Sequence, residues 1–242
     1  MPVYALPESE LIFPHPSLAI RSGLLAVGGD LSPERLLLAY QNGIFPWYEV
    51  DEPIQWYCPM PRLLLDPREF RLYKSLKSVI RKSAFEIRFD DDFCAVILKC
   101  KSIERQGQSG SWIHGDIVNA YSLLHEMGIA HSVEVYDNGK MIGGLYGLAI
   151  GKMFCGESMF AAANNASKIA LFALCQELIC RNYSFIDCQQ DTEHLKFMGA
   201  KLFDQNYFFN LLEENKKYQI QAEKWCKKIA LADIPKNGNV NV

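Results

Sequence analysis

The stretch AHSVEVYDNGKMIGGLYGLAIGKMFCGESMF, residues 130–160, decides the fold. Ala130 to Tyr136 reads as a strand. Asn138-Gly139 is the strongest short-range hairpin signal, because a two-residue turn that matches strand twist needs positive φ at both central positions. Met141 to Ile150 runs back, Gly151-Lys152 turns again, and Met153 to Phe160 makes a third strand. Consecutive strands joined by turns this tight form an antiparallel meander.

Downstream, Asn164 or Asn165 can cap a long helix from Ala166 to Cys180. Tyr183 to Cys188 is a fourth strand, followed by a helix from Asp191 to Met198 that Gly199 stops. Lys201 to Phe203 is a short strand, Gln205 to Lys217 a last helix, and the tail after Ile234 frays. Upstream, residues 68–82 suit an amphipathic helix, with Leu72, Leu76, Val79 and Ile80 on one face. Asp116 to Met127 suits another, closed by Gly128. The first sixty residues are rich in Pro, Gly and aromatics. They read as short strands and turns around a helix from Ser32 to Gln41, with Ser32 as cap and Pro33 at the first position. Pro59-Met60-Pro61 cannot continue a helix or a central strand. That places a boundary between a small N-terminal α/β domain, residues 1–61, and a second domain, residues 62–242. A meander, a helix, a strand, a helix and a strand make an α+β layer, one sheet covered by helices. By analogy alone, that order is compatible with the acetyltransferase-like (GNAT-like) fold, which binds acyl carriers in a split between strands.

The chain has 242 residues, of which 49% are hydrophobic and 22% charged, as in a folded globular protein. A net charge of −3 gives no global basic signature, so any nucleic-acid contact needs a local patch. None of the eight cysteines forms a C-x-x-C pair, which removes zinc-ribbon spacing. His125 and His131 are not at metal-ligand spacing on a helix, so both read as structural and no metal is expected. No signal peptide and no apolar run long enough to span a membrane stand out. The expectation is a cytoplasmic protein with reduced cysteines.

Few residues suggest chemistry. Strand periodicity puts Asp187 and Gln189 on one face and Cys188 in the core. That polar pair is either a strand end meeting solvent or part of a site. Glu157 and Ser158 interrupt an apolar strand, so the carboxylate is paired, hydrated or functional there, or it marks a strand edge. Gly143-Gly144-Leu145-Tyr146-Gly147 lacks the G-K-S/T ending of a phosphate loop. The helix opening near Ser167-Lys168 offers an anion site or an ordinary capped terminus. Between Arg68 and Lys82, six Arg or Lys stand against one Glu. That face is either solvated or a phosphate-backbone contact.

Several long motifs occur together and in order: Gly23-Leu24-Leu25-Ala26 with Gly28-Gly29-Asp30-Leu31-Ser32-Pro33; Ala39-Tyr40 with Gly43-Ile44-Phe45-Pro46-Trp47; Ala130-His131-Ser132-Val133-Glu134-Val135; the glycine run 143–147; Gly156-Glu157-Ser158-Met159-Phe160; Asn165-Ala166-Ser167-Lys168; and Ile186-Asp187-Cys188-Gln189. With these the chain resembles the bacterial leucyl/phenylalanyl-tRNA–protein transferases, from Phe13 to Leu212. The resemblance implies a small N-terminal domain and an acetyltransferase-like catalytic domain. It implies transfer of Leu or Phe from Leu-tRNA or Phe-tRNA to the α-amine of proteins starting with Arg or Lys. Such products are marked for degradation by the N-degron route. A monomer without a cofactor is expected. The implied side-chain pocket is Leu145, Phe154, Met159, Leu174, Leu178 and Ile186. The implied aromatic surroundings of the aminoacyl-adenosine end are Tyr40, Trp47, Trp112 and Tyr121. Gln189 would accept a proton with Asp187 polarising it, Glu157 would complement the acceptor's positive charge, and Arg71, Lys74, Lys77, Arg81 and Lys82 would hold the acceptor stem. The sequence departs from the family pattern at Tyr57-Cys58, Ala161 and Leu202-Phe203-Asp204-Gln205.

A neutral amide is a very weak base, so Gln189 is better suited to aiming the amine through its carbonyl oxygen, with Asp187 fixing it. Two other readings stay open on the residues alone. One is a small-molecule N-acetyltransferase, although no Q/R-x-x-G-x-G/A pyrophosphate loop precedes the helix at Asn165. The other is a tRNA or peptide binder without catalysis.

Overall fold

The computed structural model describes residues 3–103 and 111–234. The hairpin forms as its turn chemistry requires: Asp137 pairs with Lys140 across Asn138 at φ 48° and Gly139 at φ 78°. Around it stand two sheets. The smaller contains β1 (Tyr4–Leu6), β2 (Leu24–Gly28), β3 (Phe45–Pro46) and β4 (Gln55–Tyr57) in the order β1-β2-β4-β3. Beside it lies α1 (Pro33–Gln41), capped by the Ser32 side chain.

The larger sheet begins at β5 (Arg62–Leu65). It is followed by α2 (Lys74–Lys82), β6 (Glu86–Phe89), α3 (Phe93–Lys101), α4 (Gly115–Glu126), β7 (Ala130–Asp137), β8 (Lys140–Ile150), β9 (Met153–Ala161), α5 (Ala166–Cys180), β10 (Phe185–Asp187), α6 (Glu193–Phe197), β11 (Lys201–Phe203), α7 (Gln205–Asn215) and β12 (Lys227–Ala230). The sheet order is β11-β5-β10-β9-β8-β7-β6-β12. The sheet splits two layers. One face packs Tyr146, Leu148 and Cys155 against α1, α3, α4, α7 and the small sheet; the other packs Leu145, Ala149 and Phe154 against α2, α5 and Trp225. The first layer runs without interruption into Leu25, Leu36 and Trp56, so the two sheets share a core.

The elements differ from the sequence reading in three ways. β5, β6, α3 and β12 were not expected; β5 pairs with β10, and β12 pairs with β6 at the sheet edge. The helix expected over 68–82 begins only at Lys74. Pro67–Glu69 is a single 3-10 turn under an Asp66 cap, and Arg71 N–H then bonds Met198 O, which keeps the chain extended. Helices cover both faces of the sheet. Asn165 opens α5 in the left-handed region, φ 68°, and its side chain makes no cap hydrogen bond.

His125 and His131 are structural. His131 Nδ1 lies 2.9 Å from Asp90 Oδ2 and its ring stacks on Trp225 at 3.9 Å; His125 bonds Ala130 O through Nδ1 at 2.8 Å.

Candidate active site

The site is made by a bulge and a split. β8 and β9 pair Gly147 with Gly156 and Tyr146 with Ser158, so Glu157 is the extra residue. Gly147 is required at this point, because a Cβ there would lie 2.2 Å from Cys155 O. The extra residue shifts the phase of the strand. Phe154 and Met159, five positions apart, both face the α5 layer, while Cys155 and Phe160 face the other. β10 runs parallel to β9 only as far as Asp187 opposite Cys155, and the strands then part.

A cavity of about 370 Å³ occupies the gap, within the range of small-molecule sites. On the α5 side its wall is apolar: Leu145, Phe154, Met159, Leu171, Leu174 and Ile186. On the other side it meets Phe45, Pro46, Trp47, Trp112, Glu157 and Gln189. Of the six pocket positions implied by the resemblance, Leu178 does not line the cavity. It is buried one turn further along α5, and Leu171, on the turn before Leu174, lines the wall instead. Cys188, expected in the core, is half-buried and also lines the cavity.

Glu157 is the hub of the polar end. Tyr40 Oη, from α1, donates to its Oε1 at 2.7 Å, and Gln189 Nε2 donates to the same oxygen at 2.8 Å. Tyr121 Oη, from α4, shares its one proton between Oε2, at 3.3 Å, and the Tyr40 hydroxyl oxygen. Burial pushes the Glu157 carboxyl up to about 7; the three donors pull it down, and the Asp187 charge adds to the rise. Burial drives both phenols well above their ordinary range, so they remain protonated donors. The four aromatics thus divide. Trp47 and Trp112 stand half-buried on the cavity wall, whereas Tyr40 and Tyr121 are buried and offer no ring face to a base.

Asp187 and Gln189 also differ from expectation. Asp187 is 1% exposed and lies outside the cavity wall. Both its oxygens bind the buried Arg62, Nε to Oδ1 and Nη2 to Oδ2, each at 2.7 Å. Gln189 leaves the strand at φ 63°. Asp187 Oδ1 accepts its backbone N–H at 2.9 Å, so the contact is to the main chain and not to the side-chain amide. Since Glu157 accepts from the amide nitrogen, the amide oxygen of Gln189 points away from the carboxylate and is the end left to accept a donor. Arg62 carried no pattern in the sequence; its partner lies 125 positions away.

Only the head of the basic run meets an element that lines the cavity. Leu76 and Ile80 bury one face of α2, while Lys74, Arg81 and Lys82 are exposed on it and Arg71 is exposed just before it; Lys77 is half-buried. The ring of Tyr73, at the head of α2, stacks on Phe197 of α6 at 4.0 Å. His194 and Leu195 of the same α6 line the cavity. Two of the departures find local roles. Tyr57 packs edge-on to Trp47 at 5.5 Å, and Asp204 caps α7 by accepting Tyr207 N–H at 2.9 Å. Among the described residues no helix is long and apolar enough to cross a membrane.

Known proteins match this chain along most of its length. The family model described as leucyl/phenylalanyl-tRNA protein transferase matches residues 64–213, and that of the family's N-terminal domain matches residues 29–60. The chain is 51% identical over 207 residues to the leucyl/phenylalanyl-tRNA–protein transferase of Sulfurimonas denitrificans, covering 86% of this chain and 90% of that one. It is 49% identical over 225 residues to that of Syntrophobacter fumaroxidans, covering 93% and 96%. Among solved structures, L-PGS from Bacillus licheniformis superposes with a TM-score of 0.35 at 10% identity, over 83% of this chain and 63% of that one. Family models and relatives agree: the chain belongs to the leucyl/phenylalanyl-tRNA protein transferase family and is an aminoacyltransferase.

Proposed function

We propose that the chain moves Leu or Phe from Leu-tRNA or Phe-tRNA to the α-amine of proteins beginning with Arg or Lys, marking them for degradation in the cytoplasm. The observation that carries this reading is one continuous cavity, apolar on the α5 side and ending at Glu157 and Gln189 in the split between β9 and β10. That split supports the acetyltransferase-like reading of residues 62–242, with residues 1–61 as the small domain that supplies Phe45 and Trp47. The Leu or Phe side chain fills the apolar part, between Leu145, Phe154, Met159, Leu174 and Ile186. Leu178, behind them, supports the wall. Trp47 and Trp112 take the terminal adenosine; stacking a base on an aromatic is worth ~1–3 kcal/mol. Arg71, Lys74, Lys77, Arg81 and Lys82 hold the acceptor stem by its backbone, which positions without specifying sequence. The enzyme acts as a monomer.

The ester is already activated, so the chemistry needs no cofactor. The amine attacks the carbonyl carbon, the new C–N bond forms, the bond to the ribose oxygen breaks, and the amine proton ends on that oxygen. An α-amine with a pKa of ~7.7–8.0 is partly neutral at pH 7, so alignment is the main task. Gln189 aims the amine with its carbonyl oxygen. Glu157, ionised, balances the positive charge that develops on the attacking nitrogen. Asp187 works from behind, by holding the main chain of Gln189. The test is transfer of labelled leucine from Leu-tRNA to an Arg-starting peptide. Wild type should transfer it, and Gln189→Ala should be strongly impaired. Near-full transfer by Gln189→Ala would refute the aiming role.

A further inference from the structure

One buried charge is unused by this chemistry. Arg62, at the start of β5, is 1% exposed and paired with an equally buried Asp187. Such a pair loses more hydration than an apolar pair of the same volume, so packing alone is a poor reason for it. Its contacts suggest another. Beyond Asp187, Arg62 Nη2 donates to Gly43 O at 3.0 Å, and the guanidinium lies 5.2 Å from the Phe45 ring and 4.7 Å from the Phe208 ring. Gly43 leads directly into Phe45, Pro46 and Trp47, which line the cavity from the small sheet. Asp187 in turn holds the N–H of Gln189, whose left-handed conformation is one that a residue with a side chain adopts only when its surroundings enforce it. One guanidinium therefore ties together the two walls that must face each other across the bond being made.

We propose that Arg62 is a positioning residue for aminoacyl transfer: through Asp187 it fixes the backbone of Gln189, and through Gly43 O it fixes the Phe45–Trp47 wall in register with it. This rests on the reading of the cavity as the aminoacyl-transfer site. Arg62 touches neither substrate. It also cancels the charge of Asp187 near Glu157, whose other neighbours are Tyr40 from α1, Tyr121 from α4, Gln189 and, on its own strand, Cys155.

The test compares Arg62→Lys, Arg62→Met and the apolar pair Arg62→Met with Asp187→Leu. Melting temperature, kcat and KM are measured with Leu-tRNA and an Arg-starting peptide. The apolar pair should recover most of the stability that Arg62→Met alone loses, yet lose kcat about a hundredfold with KM little changed, because Gln189 N–H and Gly43 O are left without partners. A purely structural role predicts the opposite: restored stability would restore the rate. Arg62→Met alone should also move the acid limb of the pH profile upward, since Asp187 is left uncancelled beside Glu157. Arg62→Lys keeps the charge and should leave that limb in place while lowering kcat about tenfold. Should the apolar pair not fold, wild-type kcat in Arg62→Lys still overturns the proposal, as does a stable apolar pair with wild-type kcat. If wild type transfers no leucine at all, the transfer reading fails and this role fails with it.

Discussion

Removing the hydroxyl of Tyr40 tests the charge state of Glu157. Tyr40→Phe takes away one of three donors to that carboxylate, the 2.7 Å contact to Oε1. A hydrogen bond to a charged group is worth ~1.5–3 kcal/mol, and about 1.4 kcal/mol corresponds to one pKa unit. The carboxyl, already pushed up to about 7, should rise further, by about one to two units. Tyr121 shares the Tyr40 hydroxyl and can turn fully to Glu157, which favours the lower figure. In the proposed mechanism the ionised form is the active one, so activity should rise with pH. At pH 7 about half of the wild-type carboxyl is ionised and about a tenth of the variant's, so transfer should fall about fivefold there and recover by pH 9. The assay is single-turnover transfer of labelled leucine from Leu-tRNA to an Arg-starting peptide between pH 6 and 9. Enzyme-free blanks correct for hydrolysis of the ester at alkaline pH. The amine titrates at ~7.7–8.0 with either protein, so the ratio of variant to wild type is diagnostic, not the raw profile. A ratio constant across the range would show that Tyr40 acts through geometry and that Glu157 need not be ionised.

Three other outcomes are expected. Leu174→Phe adds bulk to the α5 wall of the cavity and should reduce transfer of Phe more than of Leu, by about tenfold or more in the ratio of kcat/KM for the two charged tRNAs; an unchanged ratio would place the side chain elsewhere. Neutralising Lys74, Arg81 and Lys82 together, each to Gln, should weaken tRNA binding and flatten its log–log salt dependence by about 0.7–0.9 for each phosphate that is no longer neutralised; an unaltered slope would remove α2 from the footprint. Glu134 is fully buried and burial pushes its carboxyl from 4.5 up to about 7, against a Ser132 donor. The folded state then binds more protons than the unfolded chain between these values, so stability falls as pH rises through that window, and the loss is complete above it. Glu134→Gln should therefore raise the melting temperature at pH 8 relative to pH 5, removing a dependence of about 3 kcal/mol; equal pH dependence in both proteins would contradict the assignment.

How far the sequence speaks depends on how far apart the interacting residues are. The meander is legible because Asn138-Gly139 meets a local demand for positive φ, and Ser32-Pro33 likewise states its own helix start. α3 is not, because Phe93 to Leu98 is a continuous apolar run that suits a buried strand as well as a helix. The helix expected from residue 68 fails for a tertiary reason: Met198 O claims the N–H of Arg71 and keeps the chain extended. The same holds, more strongly, at the site. Counting by twos along Ile186-Asp187-Cys188-Gln189 identifies the polar residues but not their surroundings, since Arg62 buries the first and a left-handed turn redirects the second.

Glu157 shows what the site required of the fold. A carboxylate in a regular central strand would point into a packed layer with its pairing fixed. Here the bulge opposite Gly147 leaves Glu157 unpaired in the ladder, and the phase shift it causes sends Phe154 and Met159 to the same wall. One extra residue thus both frees the acid and lines the pocket it serves. The parting of β9 from β10 just beyond then opens that pocket to Gln189. No single position is diagnostic of this arrangement: glycines at 147 and 156, an acid at 157 and apolar residues five apart each have ordinary explanations. Together they have one geometric consequence. It predicts that Gly147→Ala, whose Cβ would press on Cys155 O, should impair transfer beyond its loss of stability, by disturbing Glu157 and the apolar wall at once. A variant that is less stable but transfers leucine at the wild-type rate when folded would show that the bulge is tolerated at the site rather than required by it.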